Sequence, residues 1–222
     1  MGYKEEFIES MVRSRVLTFG EFVLKSGRKS PYFINTGLYR SGAQIAKLGE
    51  YYAACFMEHI PDSADVLYGP AYKGIPLVVA ASIALYQRYQ LDIPYCFNRK
   101  EGKDHGEGGL LIGFKPADGD QIVMIDDVTT AGTAMRENLP IIHNVAKARV
   151  KALIISVDRM EKGTGQVSAV QQIKNEFGIE VYSIVTVREI LDYLYGRKID
   201  GQVIIDDKIK ENMQRYFQEY GA

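Results

Sequence analysis

An apolar run, Ile122-Val123-Met124-Ile125, passes directly into two carboxylates, Asp126 and Asp127, and then into Val128-Thr129-Thr130-Ala131-Gly132-Thr133-Ala134. No other segment constrains the fold as strongly. Apolar residues without polar interruption suit a strand covered on both faces. The small, hydroxylated residues after the acids turn the chain into a helix that begins at about Gly132. The same rhythm recurs along the chain. Asp65–Tyr68 predicts a strand, followed by a loop and a helix with Pro76 in its first turn. Ile93–Asn98 predicts a strand that runs into a glycine-rich segment from Arg99 to Gly109. Strands at Ala152–Val157 and Glu180–Val185 flank a helix near Ser168–Glu176, and Asp206–Tyr220 closes the chain as a helix. Alternation of this kind predicts an α/β fold, a mainly parallel sheet flanked by helices.

The first forty residues stand outside that alternation. Residues 3–17 read as an amphipathic helix through Phe7, Ile8, Met11, Val12 and Val16. A hairpin is expected over 19–33, with Phe22 and Leu24 alternating with polar residues and Ser26-Gly27 at the turn. Ser41-x-x-Gln44 has the form of a capping box, and Ile45, Leu48, Tyr52, Cys55, Phe56 and His59 follow as one helical stripe. The expected organisation is a single domain over 1–222. A small N-terminal hood of about 1–40 contains the hairpin and is joined by the C-terminal helix; an α/β core occupies about 41–205. The length of 222 residues fits one such domain.

Open α/β sheets place their ligands at the carboxyl ends of strands, where Asp126 and Asp127 fall. The N–H groups of a following helix N-terminus suit a phosphate monoester, and Thr129, Thr130 and Thr133 add hydroxyl donors. Gly132 lets the backbone come close. Neighbouring carboxylates accept from two neighbouring hydroxyls, such as those of a ribose. An acid pair ending a strand, or a threonine capping a helix, is ordinary when taken singly. The ordered set describes a pocket for a 5-phosphoribosyl group. No Walker A pattern and no GxGxxG opening a helix competes with it.

Four further segments carry polar chemistry. Lys25 to Asn35 offers an ammonium at Lys25 and, at Phe33, an aromatic face able to cover a flat heterocycle; Ile34 follows it. Gly69-Pro70-Ala71-Tyr72-Lys73-Gly74 ends a strand and opens a helix, so its backbone N–H groups and Lys73 could hold a diphosphate; it could also be an ordinary βα turn. Arg99 to Gly109 has four glycines in eleven residues, with Arg99, Lys100, Lys103 and His105 partly offset by Glu101, Asp104 and Glu107. It is expected to close over a departing diphosphate, because an oxocarbenium-like centre must be kept from water and the leaving charge needs cations. Ser156-Val157-Asp158-Arg159 sits at another strand end, where a guanidinium could take a carboxylate through two parallel bonds, unless Arg159 is spent on a surface pair with Asp158. His59 and His143 fall on helical stretches and read as structural.

In this order the five segments resemble the motifs of type I phosphoribosyltransferases, enzymes that use 5-phosphoribosyl 1-diphosphate (PRPP). The flanking segments are most similar to those of members whose acceptor is orotate. The resemblance runs from Phe19 to about Arg159. It implies that Asp126 and Asp127 hold the ribose, that residues 128–134 hold the 5-phosphate, and that Lys25 contacts PRPP. It implies that Phe33 and Ile34 lie against orotate; many relatives carry Phe at the second position, and backbone contact remains at Ile34. The 69–74 loop, with Tyr72 and Lys73, takes the diphosphate, attended by Arg99, Lys100, Lys103 and His105. Lys103 and His105 are the residues expected to act in the chemical step. Arg159 and Thr130 contact orotate. The resemblance also implies Mg²⁺, held mostly by diphosphate and ribose oxygens with no dedicated protein ligand. It implies a homodimer in which the flexible loop reaches the neighbouring subunit's site, and a product, orotidine 5′-monophosphate, in pyrimidine nucleotide synthesis.

Composition narrows the partners. Lys+Arg 27 against Asp+Glu 28 leaves a formal charge of −1, which speaks against a nucleic-acid or membrane-surface binder. The longest nearly apolar run, Ile75 to Tyr86, is shorter than the roughly 20 residues a bilayer needs. The N-terminus carries acids in its first turns and no apolar signal region. Cys55 and Cys96 are far apart and lack metal-ligand spacing, which fits a reduced, cytoplasmic protein. A purine acceptor remains an alternative, although it has no carboxylate for Arg159. A sensor of PRPP without turnover is a second, although it has little use for a basic segment over the leaving group.

Overall fold

The computed structural model describes residues 2–24, 27–61, 64–103, 109–129, 132–163 and 165–222, with the side chains of 102 and 103 excepted. Helix α1 spans Tyr3–Arg13 and leads into an antiparallel hairpin of β1, Leu17–Val23, and β2, Lys29–Ile34. The periodicity predicts helix to residue 17, yet α1 stops four residues earlier. Arg15 takes a left-handed φ of 56°, and Val16 N–H returns to the Met11 carbonyl. Val16 and Leu17 remain buried, the latter from a strand rather than a helix. Apolar spacing predicted their burial but could not specify the backbone carrying them.

Helix α2, Gly42–His59, opens with the expected capping box: Ser41 Oγ accepts from Gln44 N–H, and Gln44 Oε1 accepts from Ser41 N–H. The core then alternates through β3 (Val66–Gly69), α3 (Gly74–Tyr89), β4 (Tyr95–Lys103), β5 (Gly109–Gly113), β6 (Gln121–Ile125), α4 (Thr133–His143), β7 (Arg149–Asp158), α5 (Ala169–Phe177), β8 (Glu180–Thr186) and α6 (Val187–Leu194). A minute hairpin of β9 (Lys198–Ile199) and β10 (Gln202–Val203) precedes α7, Asp207–Tyr220. The main sheet has the order β5-β4-β3-β6-β7-β8, parallel throughout except for the antiparallel edge pair β4–β5. It is the mixed, mostly parallel sheet flanked by helices that the alternation predicts.

Among further departures from the sequence reading, two bear on the site and its scaffold. Arg99–Lys103, expected as part of a loop, continues β4. Its partner β5 aligns Asn98 with Leu111 and Lys103 with Gly109 across an irregularity. Strand pairing satisfies backbone groups that a glycine-rich composition gives no reason to expect satisfied. Helix α6 is the second. Its capping box, Thr186 with Glu189, was present in the chain as a signal and makes both reciprocal bonds.

Two apolar clusters cover the sheet. One joins α1, α2, α3, α6 and α7 through residues such as Phe7, Tyr52, Phe56, Val123, Ile154 and Ile190. The other packs α4 and α5 around Tyr68, Met124, Met135 and Ile173. The hairpin and α7 touch directly: Tyr32 meets Tyr216 edge-on at 6.1 Å and Phe217 at 6.4 Å. Among the described residues no helix is long and apolar enough to cross a membrane.

Candidate functional site

Because β3 and β6 are neighbours in the sheet, their carboxyl ends lie side by side and deliver two loops to one rim. From β6 come Asp126 and Asp127. Asp126 N–H donates to the Ile154 carbonyl at 3.0 Å, and its own carbonyl accepts from Tyr52 Oη at 2.7 Å. The Asp127 carbonyl accepts from both Ser156 N–H, 2.9 Å, and Ser156 Oγ, 2.6 Å. Backbone on both sides is thereby pinned to β7 and α2, and the acids cannot swing with the loop.

The carboxylates differ. The pattern predicts two acids presented to a ligand. Asp126 is half-buried, and its Oδ1 accepts from Asp127 N–H at 2.8 Å. Burial, and then the adjoining Asp127 charge, push its carboxyl up to about 7. Asp127 is only 6% exposed. Its Oδ2 accepts from Lys73 Nζ at 2.8 Å and from Thr36 Oγ1 at 2.6 Å. Lys73, expected at the diphosphate, is therefore also the counter-ion of the second acid. A diol approaching Asp127 must share that oxygen or displace the ammonium.

From β3 comes the 69–74 loop. Its shape depends on tight backbone approach. A Cβ at Gly74 would meet Pro70 Cδ at 2.6 Å, the Gly69 carbonyl carbon at 2.9 Å and the Ile125 carbonyl oxygen at 3.0 Å. Ala71–Tyr72 is a cis peptide, and Ala71 N–H donates to Asn98 Oδ1 at 2.7 Å. Asn98 is buried on β4, so the loop is tied to strands on either side of β3. Tyr72 is 67% exposed, with Lys100 Nζ 5.5 Å from its ring centroid. Arg99 and Lys100 follow Asn98 on β4, half-buried and exposed respectively.

The 128–134 segment, expected to hold a 5-phosphate, turns at Gly132, whose left-handed φ of 71° directs the chain into α4. Thr133 is exposed and Ala134 half-buried at the first turn; Val128 and Thr129 are half-buried before it. Beneath, Tyr68 Oη donates to Asn138 Oδ1 at 2.7 Å, and Asn138 Nδ2 donates to the Ala134 carbonyl at 2.8 Å. That bridge joins β3 to the first turns of α4.

On the hood side, Phe33, the penultimate residue of β2, is exposed and stacks on Phe22 with centroids 5.5 Å apart. Ile34 pairs with Leu17. Arg159 does not pair with Asp158, which instead accepts from Met160 N–H. Its guanidinium lies 4.5 Å over the ring of Tyr32, the residue before Phe33, and donates to Glu161. Hairpin and arginine therefore meet at one place. Lys25, His105, Thr130 and Ala131 lie outside the described residues, as does the side chain of Lys103.

The sequence reading gives no role in the site to Thr36, Tyr52, Asn98, Ser156 or Glu161. A tyrosine inside the apolar stripe of α2 was a usable signal, since a buried phenol needs a partner. Thr36 carried none, because its role depends on which strand end it meets. Of the helical histidines, His59 stacks on Tyr182 at 4.5 Å and His143 is exposed. Among the described residues no group of three or more His, Cys, Asp or Glu is placed to hold a metal ion.

Comparison with known proteins accords with this geometry. A family model described as the phosphoribosyl transferase domain matches residues 36–187. An orotate phosphoribosyltransferase of Clostridium beijerinckii is 51% identical over 220 residues, 99% of this chain and 98% of its own. That of Clostridium acetobutylicum is 52% identical over the same shares. Among solved structures, orotate phosphoribosyltransferase of Francisella tularensis superposes with a TM-score of 0.84 at 38% identity, covering 98% of this chain and all of that one. Leishmania donovani UMP synthase shares the fold, with a TM-score of 0.74 at 22% identity over 43% of its length.

Proposed function

The chain belongs to the phosphoribosyltransferase family, and from that premise we infer that it transfers the 5-phosphoribosyl group of PRPP to N1 of orotate. Orotate N1 attacks C1 of the sugar, the bond from C1 to the diphosphate oxygen breaks, and orotidine 5′-monophosphate and diphosphate leave. The reaction belongs to pyrimidine nucleotide synthesis. The observation that carries the site assignment is the convergence of Lys73 and Thr36 on one carboxylate oxygen of Asp127 at the carboxyl rim. It sets the two acids beside a loop and a helix N-terminus suited to anions.

In this reading Asp126 and Asp127 accept from the ribose hydroxyls, and residues 128–134 hold the 5-phosphate. Lys73, freed from Asp127 by the incoming diol, turns its ammonium to the diphosphate. Tyr72, Arg99, Lys100, Lys103 and His105 attend the same group, and Lys25 joins them from the hairpin. Charge arriving with the leaving group lowers the barrier only if it interacts more strongly as the bond breaks. Phe33 and Ile34 cover the orotate ring, while Arg159 and Thr130 hold its polar edge. Mg²⁺, when bound with PRPP, would neutralise charge on the diphosphate. The donors present suit an ion that arrives on the substrate, because two acids, one already paired with Lys73, are too few to cage it.

A homodimer that shares the 99–109 segment between subunits is part of the proposal. Exposed Ile83 and Tyr86, one turn apart on α3, support an apolar contact face. Free, buried Cys55 and Cys96 support a reduced cytoplasmic setting. Near-neutral charge supports small-molecule substrates rather than nucleic acid or a membrane surface.

The test is direct. Protein, PRPP, Mg²⁺ and orotate are mixed and the loss of orotate absorbance is followed, with adenine and hypoxanthine as competing acceptors. Consumption of orotate alone is expected. Consumption of a purine, or none at all, would overturn the assignment.

A further inference from the structure

Arg159 is held among hood residues, and its surroundings are built. Side-chain exposure is 16% for Arg159 and 11% for Glu161. Glu161 Oε1 accepts from Arg159 Nε at 3.0 Å, from Arg159 Nη2 at 2.7 Å and from Tyr32 Oη at 2.7 Å. The Tyr32 ring, fully buried, supports the guanidinium face. Arg28 stands 3.6 Å from the other Glu161 oxygen and donates twice to the Lys162 carbonyl. The segment itself is clamped by the end of α7: Lys162 N–H donates to the Tyr220 carbonyl, and Ala222 N–H to the Met160 carbonyl.

We propose that Glu161 is a positioning residue for acceptor recognition: with Tyr32 it fixes the Arg159 guanidinium so that its outer edge meets the acceptor's carboxylate. The inference rests on the reading of Arg159 given above. A guanidinium has two edges able to take an oxygen anion side-on or end-on. Glu161 uses the Nε–Nη2 edge with a single oxygen, which leaves the Nη1–Nη2 end for a second carboxylate. Stacking on Tyr32 removes rotation about the long side chain, so less freedom is lost when the acceptor binds. Charge balance allows this. Two guanidinium groups, Arg28 and Arg159, share the single Glu161 carboxylate, so Glu161 does not by itself neutralise both.

Steady-state kinetics of the full chain test it, with thermal melting as a check on folding. Glu161→Ala is expected to raise the KM for orotate by about tenfold or more, in line with truncating one partner of a buried charge pair. The KM for PRPP and the turnover at saturating orotate stay within about threefold. Glu161→Gln, which keeps an accepting oxygen, recovers part of the loss. In an Arg159→Ala background, Glu161→Ala adds nothing, because the residue acts through the arginine.

An unchanged orotate KM in Glu161→Ala, equal losses for both substrates, or losses that add independently of Arg159 would each overturn the proposal. If Glu161→Ala fails to fold, Tyr32→Phe, which deletes one hydroxyl and keeps the ring, is judged by the same split. Failure of the underlying reading looks different. Wild-type protein would then leave orotate unused, or Arg159→Ala alone would leave its KM unchanged.

Discussion

Lys73 Nζ and Asp127 Oδ2 stand 2.8 Å apart, joining the loop after β3 to the end of β6 across 54 residues of chain. The ammonium is largely solvent-exposed while the carboxylate is buried, so the pair contributes little to stability, roughly 1 kcal/mol or less. Its value is positional. Lys73→Ala is expected to shift the melting temperature by no more than a few degrees, while the KM for PRPP rises by about tenfold or more. Calorimetric melting beside PRPP titration separates the two. A large melting shift with unchanged PRPP affinity would make Lys73 a structural residue.

Asp126 should make PRPP binding depend on pH. Burial and the Asp127 charge raise its carboxyl to about 7, against about 3.9 for an unfolded aspartate. The ionised form is the better acceptor for a diol, so PRPP affinity should improve as pH rises from 6 to 8. Asp126→Asn should flatten that slope. The folded state binds the proton more tightly, so this group's contribution to stability is fully present below about pH 4 and is lost as pH rises to about 7. The loss is at most about 1.4 kcal/mol per pH unit. Asp126→Asn, which never ionises, should therefore gain more in melting temperature at pH 8 than at pH 5. Equal gains at both pH values would show that the aspartate does not change protonation on folding.

Lys103 ends β4 opposite Gly109, at the start of the segment proposed to cover the leaving group. Lys103→Ala should cut turnover far more than it weakens orotate binding, because its charge matters as diphosphate departs. Turnover and orotate dissociation measured on the same preparation decide this. Parallel losses in the two would refute a role in the transition state.

Much of this was readable one segment at a time. The strand before Asp126, the helix after Gly132, the capping box at Ser41 and Gln44 and the terminal helix follow from period and caps, which are local properties of the backbone. The errors were also local. Helix α1 stops at a left-handed Arg15 that apolar spacing does not report, and Arg99–Lys103 becomes strand because β5 offers it partners. Composition described residues 99–109 as a loop; pairing decided otherwise for both of its ends. The sequence marks Arg159 as a candidate but not its neighbours, since Glu161 and Tyr32 reach it only after the hairpin packs on the end of β7.

The amino-acid order alone specified which chemical groups this chain would carry to a strand end: two acids, a run of hydroxyls, a lysine loop and an arginine. It could do so because each motif is contiguous. Which of those groups touch was left to the tertiary structure. The sheet order places β3 between β4 and β6, so Lys73 reaches Asp127 and Asn98 holds the 69–74 loop; packing of the hairpin on the end of β7 puts Tyr32 beneath Arg159. Crossovers between strands set these adjacencies, and no period or spacing along a chain encodes the route a crossover takes.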